Sequence, residues 1–238
     1  MKKITLLIAA LFTGSVAFAQ YYYLPAQAGN PGGLNNDTEK PFLTDMAALG
    51  WADVQGTSST DVWSSNQTIP FSFTFNGSGK TSYKVSTTGI LTFDLTATSV
   101  PSSSNGGLPS TSIPDNSICL WGLEVSGNND HIGSKTFGTA PNRQHWISFF
   151  SASNPTSSQT NYTYWSIVLE ESSNKIYVVD QQNRRAPDYT IGVQFSSASA
   201  VFHPASPSVS AIAGRSVTTP ADNVYYTFSP GAQPGFDL

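Results

Sequence analysis

Between Tyr162 and Asp180 apolar and polar residues alternate with a period of two, a pattern that serves a strand with one buried face and does not serve a helix. In Tyr162-Thr-Tyr-Trp-Ser-Ile-Val-Leu-Glu170, the side chains of Trp165, Ile167 and Leu169 share one face, and Tyr164, Ser166 and Glu170 take the other. The polar run Glu171-Ser-Ser-Asn174 then turns the chain into Lys175-Ile-Tyr-Val-Val-Asp180. This is a predicted β-hairpin, rich in β-branched and aromatic residues on both arms. Val168 breaks the alternation, so the outer face is expected to be partly covered and the arm to lie inside a sheet. An edge strand would need charge or proline to discourage pairing with other molecules.

The rest of the chain repeats this pattern in short pieces. Thr68-Ile-Pro-Phe-Ser-Phe-Thr-Phe75 sets three phenylalanines on one face, and Asn76-Gly77 is the turn to Ser82–Ser86 and Ile90–Asp94. Pro70 has no amide to donate, which places it at a sheet margin or a bulge. Gly89, between two strand segments, marks a bulge or a turn with positive φ. Further strands are predicted at Ile118–Val125, 136–137, Gln144–Phe150, Thr190–Phe195, Ala200–Phe202 and Asn223–Phe228. Residues 96–112 read as a Ser/Pro/Gly-rich loop, residues 127–133 as a polar loop, and Asp45–Leu49 as one helical turn stopped by Gly50. No helical period extends further. The fold class is therefore all-β: a two-sheet antiparallel β-sandwich, jelly-roll-like, of about ten to thirteen strands, with an extended N-terminal arm beginning at Tyr21.

Residues 1–20 have a different purpose. Lys2 and Lys3, an apolar run from Ile4 to Phe12 and the small residues Ala17 and Ala19 compose a secretory signal peptide, leaving residues 21–238 as a single β-sandwich domain. The apolar run is too short to span a bilayer, and no cysteine follows it to carry a lipid. The expected location is therefore secreted or on the outer cell surface. Only 11% of residues are charged, against roughly 25% in ordinary globular proteins. Loss of Lys2 and Lys3 reduces the eleven basic residues to nine against 15 acidic ones, a net of −6. That balance disfavours nucleic acid and anionic membrane as partners.

The motifs Ile69–Gly77, Tyr83–Phe93, Ser112–Gly122, Phe137–Trp146 and Tyr164–Glu171 resemble the N-terminal β-sandwich of large exported proteins of Bacteroidota, many of them carried by type IX secretion. Their frame is also similar to the nidogen-type extracellular domain, in which an aromatic strand, a V-S-x-x-G-x-L-x-F strand and an I-x-L-E strand recur. The resemblance implies a fold and brings no catalytic residues with it. It also implies further modules, whereas this sequence ends at Leu238.

Chemistry-bearing residues are sparse. His131, His145 and His203 are scattered and compose no zinc set; Cys119 has no basic neighbour to activate it; and there is no Gly-x-Ser-x-Gly elbow. Glu170 and Glu171 are adjacent, so on a strand they point to opposite faces and cannot flank one bond. No enzyme activity, cofactor or metal is expected, with Asp130 in an oxygen-rich loop as a weak calcium candidate. The expected role is a structural or adhesin-like interaction domain with an extracellular protein or glycan as partner. The alternative is a carbohydrate-binding module in which Tyr21, Tyr22, Trp51, Trp63 and Tyr189 stack on sugar rings.

Overall fold

A computed structural model describes residues 21–39, 44–155, 162–184, 186–212 and 219–233. The signal peptide expected over residues 1–20 lies outside them. Among the described residues the strands are β1 (Tyr21–Ala28), β2 (Ala52–Gln55), β3 (Gln67–Phe75), β4 (Ser78–Val85), β5 (Ile90–Thr92), β6 (Ser117–Trp121) and β7 (His131–Phe137). They continue with β8 (Gln144–Ala152), β9 (Thr163–Glu170), β10 (Ile176–Asn183), β11 (Asp188–Ser196), β12 (Ser199–Phe202), β13 (Val209–Ser210) and β14 (Val224–Pro230). The first sheet runs β1-β14-β10-β9-β8-β7-β2; the second runs β12-β11-β6-β5-β4-β3, with β13 beside β11. All these pairings are antiparallel, and the two sheets do not close into a barrel.

The predicted hairpin is β9–β10, near the middle of the first sheet. Trp165, Ile167 and Leu169 face the second sheet and meet Phe71, Phe73 and Phe75 of β3 in one large core. Pro70 lies on the outermost strand of its sheet, within a register shift between Thr68 and Phe73, so its missing amide breaks no regular ladder. Asn76 and Gly77, at φ 47° and 74°, close the β3–β4 hairpin with the left-handed pair that a two-residue turn requires.

Both outer faces are covered in part as well. On the first sheet Val168, Trp146, Val179 and Tyr177 are buried beneath or beside Met46, Trp51 and Phe150, and Met46 and Trp51 belong to the single turn around 45–50. On the second sheet Ile90, Cys119 and Trp121 are covered by Leu108 and Ile113. The Ser/Pro/Gly-rich loop carrying those two residues is fastened by Gln194: its amide donates to the carbonyls of Ser110 (2.9 Å) and Ile113 (2.8 Å), and its Oε1 accepts from the Ser110 amide. A loop that satisfies its backbone on a buried side chain can serve as a covering layer.

Three expectations need correction. The polar loop ends at Asp130, because His131–Gly133 already belong to β7, where His131 stacks on Phe150 at 4.7 Å. β2 and β13 were not foreseen, being too short to show alternation. The strands among the described residues accordingly number fourteen, against the ten to thirteen expected.

Candidate interaction site

The two sheets are stitched along one side, where β1 edges the first sheet and β12 edges the second. Alternation along β1 turns Tyr21 and Tyr23 inward. Tyr21 is 3% exposed and packs on Phe75 and Phe195, with ring centroids 5.6 and 6.2 Å away. Its hydroxyl reaches the carbonyls of Asn174 (2.9 Å) and Thr74 (3.2 Å), and burial pushes its pKa up. Tyr23 meets the edge of His203 at 5.1 Å, and His203 meets Tyr226 at 5.1 Å.

Beside Tyr21 this stitching leaves a groove of about 490 Å³, lined by Tyr21, Asn76, Phe195, Ser196 and Ser199–Val201. Phe195, Ala200 and Val201 are half-buried apolar side chains, while Asn76, Ser196 and Ser199 contribute polar groups. Neither β1 nor β12 carries a charged residue. β1 is interrupted by Pro25 and a register shift between Leu24 and Gln27, devices that blunt an edge. β12 is short and has a register shift of its own against β11 between Gln194 and Ser196, but it has neither proline nor charge, and among the described strands it pairs only with β11. Apolar surface with a polar rim, next to unpaired strand backbone, is suited to holding an extended peptide.

The five rings considered for sugar stacking are dispersed. Tyr21, Trp51 and Tyr189 are buried. Trp51 stands edge-on to Phe137 and Phe150 and donates Nε1 to Asp37 at 3.0 Å. Tyr189 is fully enclosed, 5.0 Å from Trp165. Half-buried Tyr22 lies on β1, whereas half-buried Trp63 sits outside the strands at an isolated bridge to Ser86, donating to the Ser99 carbonyl with the Lys84 ammonium 5.1 Å from its ring centroid. Three covered faces and two separated ones do not make a platform.

Asp130 is nearly buried, and its Oδ2 accepts the amides of Ser126 (3.1 Å) and Gly127 (2.8 Å). Two of its acceptor positions are thus taken by backbone amides of its own loop. Burial raises its pKa, and raises that of the fully enclosed Cys119 thiol. Glu170 and Glu171 part company as expected: Glu171 forms a two-pronged pair with Arg143 (2.6 and 2.8 Å), and Glu170 accepts from Gln144, Ser173 and Tyr177. No helix among the described residues is long and apolar enough to cross a membrane.

A family model described as NIDO-related matches residues 38–230. The chain belongs to the NIDO-related family. Domains of this kind are typical of extracellular proteins, which fits a structural or interaction role. No curated protein and no solved structure matches the chain. The NIDO-related match begins after β1, so Tyr21 lies outside it, whereas the remaining groove residues lie within it. The sequence shows Asn76 as a turn and Phe195 and 200–201 as strand, yet marks none of them as a site. The signal that was present is an apolar Phe195 followed by Ser-Ser-Ala-Ser, a hairpin too small-chained to cover the ring.

Proposed function

We propose that this NIDO-related domain is a non-catalytic, adhesin-like interaction domain, exported by the signal at residues 1–20 and exposed at the cell surface or beyond it. It holds a partner protein by strand addition along β12, with an apolar side chain of the partner seated beside Phe195 and Val201. The observation that supports this most is the uncharged, proline-free β12 edge flanking an apolar-centred groove. Proteins rarely leave such an edge open without a use for it. Beads coated with residues 21–238 should adhere to surfaces bearing purified extracellular proteins, and Val201→Lys, which sets a charge in the groove, should reduce that adhesion about tenfold or more. Equal adhesion by the folded variant would refute the assignment.

A further inference from the structure

We propose that Asn76 is a modification site: it deamidates in the folded protein to aspartate or isoaspartate and so places a carboxylate on the rim of the β12 groove. The Gly77 backbone nitrogen, as its proton departs, forms a bond to Asn76 Cγ; the Cγ–Nδ2 bond breaks and ammonia leaves. Water then opens the cyclic imide at either of its carbonyls, and nothing besides water is consumed. Asparagine is among the thermolabile residues, and a following glycine has no Cβ to shield the attacking nitrogen.

The sequence holds two Asn-Gly pairs, Asn76-Gly77 and Asn105-Gly106, and the structure separates them. Asn105 is clamped: its Nδ2 donates to Thr190 Oγ1 at 3.1 Å and to the Pro207 carbonyl at 2.8 Å. The Gly106 carbonyl in turn accepts from Thr190 Oγ1 at 2.6 Å, and a Cβ on Gly106 would stand 3.4 Å from the Trp121 ring. Both the attacked side chain and the peptide that follows it are therefore held, whereas ring closure requires them to turn toward each other.

Asn76 has no such clamp. β3 is the outermost strand of its sheet, and Phe75 pairs with Ser78 across the turn, which leaves Asn76 and Gly77 outside the ladder. Among the described residues no hydrogen bond reaches the Asn76 carboxamide or the Gly77 amide. Gly77, Ser78 and Gly79 are exposed, and a Cβ on Gly77 or Gly79 would meet nothing within 4 Å. A turn held this lightly opens locally at little cost, which gives the nitrogen its approach. The half-buried Asn76 side chain shares the groove lining with Phe195, Ser196 and Val201, so the new carboxylate arises where every lining residue is uncharged. On the strand-addition reading, on which this last consequence rests, a charge there weakens the hold on an apolar partner.

The test keeps residues 21–238 at 37 °C and pH 8.5, folded and in urea, and follows each asparagine by peptide mass and by methylation with an isoaspartyl methyltransferase. In the folded protein Asn76 should gain the mass of –OH for –NH2 about tenfold or more faster than Asn105, whose two hydrogen bonds must break first. In urea the two should react at similar rates, and both should slow at pH 6, because attack needs loss of the amide proton. An Asn76 that stays unmodified in the folded protein, or reacts no faster there than Asn105, would overturn the proposal. Bead adhesion separates it from the reading of the groove. Asn76→Asp and Val201→Lys should both reduce adhesion. A reduction by Val201→Lys alone would refute the effect of the new charge and leave the groove standing; no reduction by either would refute the groove, while the mass shift still decides the modification.

Discussion

His145 stands between the two sheets with the Tyr83 hydroxyl 3.0 Å from Nε2 and the Thr136 hydroxyl 3.0 Å from Nδ1. Burial keeps the ring neutral and lowers its pKa to about 4. The unfolded chain takes up a proton near pH 6.5 while the folded one resists until about 4, so the stability gained is complete above pH 6.5 and is lost as pH falls through that window. Over it the domain should lose about 3 kcal/mol from this residue. His131 and His203, whose pKa values burial also lowers, act in the same direction. Urea denaturation at pH 7 and pH 4.5 checks this: His145→Gln should remove most of the difference, and an undiminished slope would place the pH sensitivity elsewhere. Trp165 tests packing alone. It is fully enclosed, with Nε1 donating to Asn183 Oδ1 at 3.2 Å, and Trp165→Ala should cost about 3–5 kcal/mol in the same measurement. A cost below about 1 kcal/mol would contradict a core position.

Among the elements, the turn from Val85 to Ile90 explains why the V-S-x-x-G-x-L-x-F motif specifies a fold. Ser86 Oγ accepts the amides of Thr88 (3.3 Å) and Ile90 (3.1 Å), closing the turn on itself. Gly89 has φ +90°, and a Cβ on it would fall 2.0 Å from the Leu120 carbonyl oxygen. Backbone strain and overpacking each cost about 1–3 kcal/mol, so Gly89→Ala should destabilise by about 3–5 kcal/mol in thermal or chemical unfolding. The same comparison shows what the sequence made legible. β9, β10 and β3 were readable because a single buried face forces alternation on a long strand. β2 and β13 were not, since strands held mainly by their neighbours carry no pattern of their own. The loop over Trp121 was legible as a loop but not as a covering layer, because Gln194, which fastens it, is more than eighty positions away along the chain. The candidate groove was hidden for the same reason: it joins residues 21, 76 and 195–201, whose proximity arises only from sheet order. The aromatic set failed differently, since composition counts rings and cannot tell a covered face from an open one.

At the scale of the whole molecule, two packed sheets, partly covered outer faces and a large core allow a chain with one cysteine to hold together without disulfides. The proposed export through residues 1–20 predicts a secreted protein that begins near Gln20 or Tyr21, which intact mass will show; a retained Met1 would contradict it. The central claim is that one edge of this sandwich is built to receive a strand. Random peptides displayed on phage and selected against residues 21–238 test it most directly, with the binding site of the enriched peptides mapped by amide hydrogen exchange. The account predicts uncharged peptides of alternating apolar pattern, protection confined to 195–202 and the neighbouring Tyr21, and loss of binding in Val201→Lys. Enriched peptides that protect another surface, or that bind Val201→Lys as tightly as wild type, would contradict it.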